Sequence, residues 1–197
     1  MSKTVEFFFD LGSPASYLAW TQLPALCARH GAALRYRPML LGGVFQATGN
    51  ASPVMIPAKG RYMFTDLARF AARYGVPFGL PPGFPINTLA LMRGLVGTQL
   101  RAPERFDVLL AALFNGLWVQ RRNLGDVTVL EQVLAEAGFT AAEFQLLTGD
   151  EEVKAALKQA TEEAVERGVF GAPTCFVDGQ MYFGQDRLDF VADALKL

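Results

Sequence analysis

"FFFDLGSPASYLAW", residues 7–20, decides the fold. Its phenylalanines close a hydrophobic strand that begins at Thr4 and ends at Asp10. Gly12 supplies a turn. Pro14 suits the first helical position, where no N–H donor is needed. Strand, turn and helix together set Ser13 at the mouth of a helix. There the free N–H groups and the positive end of the helix dipole favour an anion. Position alone leaves two roles open for Ser13: a helix cap, or a hydroxyl that donates to a bound anion. A nucleophilic role is disfavoured. The one histidine, His30, lies near the far end of the same helix, and there is no G-x-S-x-G elbow.

Working outward, the helix runs from Pro14 toward His30 with Gly31 as its stop, and Pro24 is expected to kink or split it. "ALRYRPM", residues 33–39, reads as a second strand. Two strands joined through a helix lie parallel, so the opening is a β-α-β unit. Residues 40–60 are Gly- and Pro-rich with few regular signals. Helices then follow over 60–74, from an Asn87 cap to about Leu100, and from Pro103 with Phe106, Leu109, Leu110, Leu113 and Leu117 inward. Thr128 with Glu131 and Thr140 with Glu143 read as capping boxes. A long amphipathic helix spans 150–168. "APTCFVDGQMYFG", residues 172–184, gives two strands around an Asp178-Gly179 turn, and a last helix spans 187–195. The expected fold is α/β: a thioredoxin-like domain (1–40 and 150–197) interrupted by an all-helical insertion (41–149).

The chain has 197 residues, 51% hydrophobic and 19% charged, with a net charge of −1. That is enough apolar material for a core and no electrostatic footprint for nucleic acid. No apolar run is long enough to span a membrane. "MSKTVEFFFD" lacks the basic start, long apolar run and cleavage site of a secretory signal, so the expected compartment is the cytoplasm. Cys27 and Cys175 stand apart in apolar contexts and are expected to be buried and reduced. With one histidine, they make a zinc site improbable, and no metal is expected.

Other positions carry a structural and a functional reading side by side. Pro173, before a strand, is an ordinary trans proline or a cis proline that frees the backbone of Ala172 to pair with an extended ligand. Asp186 is the N-cap or a first-turn acid of the last helix, or it accepts from a ligand ammonium group. Asn50 and Lys59 lie in the irregular segment before the helical block. Trp118 is a core residue or a ligand platform.

Taken together, "FFFDLGSPASYLA", "RPMLLGGVFQATGN", "PAKGRYMFTDLARFAARYGVP", "FPINTLALMR" and "GVFGAPTCFVDGQMYFGQDRL" cover most of the chain in order. In them the sequence resembles the 2-hydroxychromene-2-carboxylate isomerase family. It is also similar to the kappa-class glutathione transferases and, more distantly, to DsbA-like proteins. Where the disulfide oxidoreductases of that superfamily carry C-x-x-C, this chain has Ser13-Pro14-Ala15-Ser16. Dithiol exchange at that site is therefore chemically impossible.

The resemblance implies glutathione as cofactor. Ser13 then matches the serine that holds the glutathione sulfur as thiolate. Ala172 and Pro173 match the backbone that pairs with its cysteinyl part. Gln185 and Asp186 match its γ-glutamyl site, although a serine is expected where Gln185 stands. Asn50 and Lys59 match positions near its glycyl end or the organic substrate, and Asn87 matches an asparagine near substrate. Lys59 and Arg61 are candidates for the substrate carboxylate, and Trp118 for the substrate pocket. A glycine and an acidic residue are expected where Arg121 and Asn123 stand. The implied activity is glutathione-dependent cis–trans isomerisation of 2-hydroxychromene-2-carboxylate, a small aromatic carboxylate, by a homodimer. The alternatives are glutathione transfer to electrophiles and a non-catalytic thioredoxin-like binding module.

Overall fold

The computed structural model describes residues 2–196. Strand β1 (Thr4–Phe9) leads through helix α1 (Pro14–Arg29) to β2 (Ala33–Pro38). After the helical segment come β3 (Thr174–Val177) and β4 (Gln180–Phe183), then a closing helix. The sheet order is β2-β1-β3-β4. β1 and β2 are parallel with Val5 opposite Leu34; β1 and β3 are antiparallel with Phe7 opposite Cys175. The β3–β4 hairpin turns at Asp178 (φ 50°) and Gly179 (φ 79°). Two consecutive positive φ angles are what a tight hairpin turn demands of its central residues.

The period-two alternation of β1 divides the core. Phe7 and Phe9 face α1 and the helical segment, in the larger buried cluster. Phe8 faces the other way with Met39, Val44, Ala164, Val169 and Phe176. That second layer is covered by α2 (Leu41–Thr48) and the long helix α8 (Glu151–Glu166). Between them lie α3 (Pro57–Tyr74), α4 (Leu89–Arg101), α5 (Phe106–Trp118), α6 (Val127–Glu136) and α7 (Ala141–Gly149). The chain closes with α9 (Leu188–Lys196).

Four local expectations are corrected. α1 continues through Pro24 and is not split. Residues 40–60 are more regular than their composition suggests: they hold α2, a 3-10 turn at Pro53–Met55 and the start of α3. α2 contains Gly42 and Gly43 and has no side-chain cap at Leu40. Its first N–H, on Leu41, is instead held by Asp10 Oδ2 at 2.8 Å, so a tertiary contact overrides weak propensity. The cap of α6 is Asp126, which accepts from Thr128 N–H at 2.9 Å, and not Thr128 itself. Of the two structural readings of Asp186, the cap is corrected and the first-turn acid holds: it lies in the 3-10 turn Gln185–Arg187, whose cap position is Gly184, and pairs with Arg187 at 2.6 Å. The Thr140–Glu143 box is present in full.

Candidate active site

Asp10 ends β1 and is buried. Its Oδ1 accepts from Gly12 N–H at 2.8 Å while Oδ2 holds Leu41. One carboxylate therefore fixes both the turn before Ser13 and the start of α2. Burial outweighs these bonds and raises the Asp10 carboxyl above the ordinary carboxylate range.

Ser13 caps α1. Its Oγ accepts from Ser16 N–H at 3.1 Å and donates to the carbonyl of Ala172 at 2.9 Å. The peptide bond between Ala172 and Pro173 is cis. The N–H groups of Ala15 and Ala172 have no partner among the described residues. Ser13, Ala15 and Ala172 line one cleft of about 440 Å³, together with Asn50, Pro173, Gln185 and Asp186. Its apolar wall comes from Leu41, Phe45, Met63, Phe84, Phe170 and Phe183.

Each side of the cleft is held from behind. Gln185 is buried, and the single Tyr74 Oη proton is shared between its carbonyl and its Oε1, each 2.9 Å away. Asn50 Nδ2 donates to the carbonyl of Phe170 at 2.8 Å, tying the end of α2 to the segment before the cis proline. Phe170 packs on Phe183 with ring centroids 4.5 Å apart. Gly171 is required beneath them: a Cβ there would stand 2.8 Å from the Phe183 ring.

The structure thus gathers Ser13, Asn50, Ala172, Pro173, Gln185 and Asp186 around one space. Lys59 is exposed on the first turn of α3, in an adjoining hollow that shares Pro53, Met63 and Asp66 with the cleft. Arg61 stands on the exposed face of α3 and lines neither hollow. Asn87 is exposed and spends its Oδ1 on Leu89 N–H at 2.9 Å, so it acts at the start of α4 and not in the cleft. Trp118 is 0% exposed and donates to the carbonyl of Leu11 at 3.0 Å. It cannot touch a ligand directly; it supports Phe84, a wall residue, from behind at 5.5 Å. Arg121 has φ 57°, the left-handed region that favours glycine, which accounts for the glycine expected there. A Cβ on Gly79 would meet the Arg121 chain at 2.5 Å.

Sequence reasoning missed Asp10, Tyr74 and the aromatic wall. A carboxylate closing an apolar strand was the available signal for Asp10. Tyr74 gave none, because its partner Gln185 lies 111 residues away in the chain, and Phe170 gave none, because only the β3–β4 hairpin brings Phe183 against it. Cys27 and Cys175 are both free and buried, their thiols pushed up to about 11 and about 12 by desolvation. Neither is a nucleophile in waiting.

Residues 4–196 match the model of the DSBA-like thioredoxin domain. The chain belongs to that family. Within the family it is 32% identical to a 2-hydroxychromene-2-carboxylate isomerase of Sphingobium xenophagum, over 99% of each chain. It is also 32% identical to glutathione S-transferase kappa 1 of Homo sapiens, over 99% of this chain and 92% of the relative. The solved structure of a 2-hydroxychromene-2-carboxylate isomerase superposes with a TM-score of 0.87 at 28% identity, covering 98% and 94% of the two chains. These relatives are named as an isomerase and a transferase.

Proposed function

We propose that this family member is a glutathione-dependent cis–trans isomerase. Its substrate would be 2-hydroxychromene-2-carboxylate, interconverted with trans-o-hydroxybenzylidenepyruvate, or a related intermediate of aromatic catabolism. The observation that carries the reading is Ser13 Oγ at the N-terminus of α1, 2.9 Å from the Ala172 carbonyl, in a cleft that both residues line and where the Ala172 N–H has no partner among the described residues. The donor set suits a tripeptide thiol. Ala172 offers a free N–H and a carbonyl to an extended backbone. The unpartnered Ala15 N–H and the helix dipole favour a thiolate. Asp186 offers a carboxylate to an ammonium group, and the volume accommodates a small ligand.

Bound glutathione would supply a thiolate for addition to a conjugated double bond, with rotation about the resulting single bond and elimination of the same thiolate, so that no thiol is consumed. Ser13 donates its hydroxyl proton toward that sulfur and keeps it ionised. It must then release the Ala172 carbonyl, which becomes free to accept a ligand N–H. The aromatic wall of Phe45, Phe84 and Phe170 excludes water from the reacting centre and offers flat faces to an aromatic ring. Lys59 is the nearest candidate, next to the cleft, for the substrate carboxylate. We place the enzyme in the cytoplasm as a homodimer; among the described residues no helix is long and apolar enough to cross a membrane.

The test is an absorbance assay of substrate interconversion with total thiol followed in parallel. Isomerisation that requires glutathione while thiol stays constant supports the reading. Thiol lost in step with product points to glutathione transfer, the reading favoured by the kappa-class relative. No heat of glutathione binding in calorimetry points to a non-catalytic module.

A further inference from the structure

On the other side of α2 from the active cleft lies a second, larger hollow of about 730 Å³. It is walled by α2, α4 and α8 and shares no lining residue with the cleft. The spacing of α2 explains the separation. Leu41 and Phe45 face the cleft, while Gly43, Gln46 and Ala47 face the second hollow. Its apolar surface is aliphatic, from Leu40, Leu89, Leu157 and Val165.

Its polar groups are unevenly matched. Lys154 pairs with Glu151 at 2.6 Å, and Lys158 lies 3.6 Å from Glu162. Arg93, on α4, has no ion pair and no hydrogen bond among the described residues, and its buried Nε is unsatisfied. A buried guanidinium nitrogen without an acceptor is costly, and a guanidinium is built to take a carboxylate through two parallel bonds. With Lys154 and Lys158 each beside a glutamate, Arg93 is the lining cation left without an acceptor among the described residues.

We infer that this hollow is a second binding site, for an apolar aliphatic monocarboxylate whose headgroup pairs with Arg93. The inference stands independently of the reading of the cleft. Octanoate is a suitable probe, because its ring-free chain matches the aliphatic lining here and not the aromatic wall of the cleft.

Calorimetry of the purified full chain with octanoate is expected to give one site, weakened about tenfold or more in Arg93→Met. Octanol, which has the tail without the charge, is expected to bind at least about tenfold more weakly than octanoate. Amide chemical shifts of the wild-type protein give a readout that needs no variant: octanoate should perturb residues 42–47 and 154–165. No binding at millimolar octanoate overturns the inference. So does equal affinity in Arg93→Met, equal affinity for octanol, or perturbation confined to the amides around Ser13 and Ala172.

Discussion

Ser13 Oγ donates to the Ala172 carbonyl at 2.9 Å, which joins the start of α1 to the cis-proline segment. A hydroxyl has one proton, so donation to Ala172 and donation to a bound sulfur are alternatives. The acceptor side of the same oxygen keeps the Ser16 N–H in both states. The cap therefore survives ligand binding while the proton changes partner.

Ser13→Ala separates these two duties. Loss of the cap is expected to cost about 1 kcal/mol of stability, seen as a lower urea midpoint. Loss of the proton donor is expected to raise the thiol pKa of bound glutathione by about one unit, measured by thiolate absorbance. Turnover should fall about tenfold to a hundredfold. A variant with the stability loss alone leaves Ser13 as a cap and nothing more.

Tyr74→Phe removes both bonds to Gln185, and it does so outside the cleft lining. Gln185 then loses its fixed orientation beside Asp186. The expected result is a KM for glutathione raised about threefold to tenfold with kcat nearly unchanged, because the reacting sulfur belongs to the central cysteinyl residue and not to the γ-glutamyl group proposed to sit at Gln185. A fall in kcat at constant KM contradicts a role for Gln185 in binding.

The frame of the fold is local and was legible in the sequence. Alternation in β1, the Gly12 turn, Pro14 at the helix start and the Asp178-Gly179 hairpin are signals carried by neighbours in the chain. Ser13, Ala172, Pro173, Gln185 and Asp186 were singled out together through the family resemblance, and the structure brings them around one cleft; their roles there are the proposal made above. α2 was not legible, because its first N–H is satisfied by Asp10 from a different element. Of the two readings of Trp118, the core one is borne out and the ligand platform is not: its ring and its N–H are spent on Phe78, Phe84 and Leu11, all distant in sequence. Arg61 and Lys59 share a helix start, and only the placement of α3 tells which stands beside the cleft.

Trp118→Phe tests the supporting role. The smaller ring leaves a gap behind Phe84, and the Leu11 carbonyl loses its donor in a fully buried site. The combined cost is expected at about 2–4 kcal/mol, measured by urea unfolding. An unaltered midpoint would mean that Trp118 is not a core residue.

Two carboxyls on β1 and its end should respond to pH in opposite directions. Hydrogen bonds from Arg167, with the charges of Arg167 and Arg37 beside it, hold Glu6 below the ordinary carboxylate range despite some desolvation. Its contribution is therefore present above the unfolded pKa and is lost as pH falls through the lowered one. Glu6→Gln should cost about 1 kcal/mol at neutral pH and progressively less on acidification. Asp10 is raised by burial, so its native state takes up a proton more readily than the unfolded chain does. Its contribution is full below the unfolded pKa and declines as pH rises through the raised one. The stability gap between wild type and Asp10→Asn should therefore shrink with rising pH, where the Glu6→Gln gap grows. Urea unfolding of the three proteins across the acid range measures both slopes. An Asp10 gap that widens with pH would show that the bonds from Gly12 and Leu41 outweigh burial, and that this carboxyl anchors the Ser13 turn as a stabilised anion.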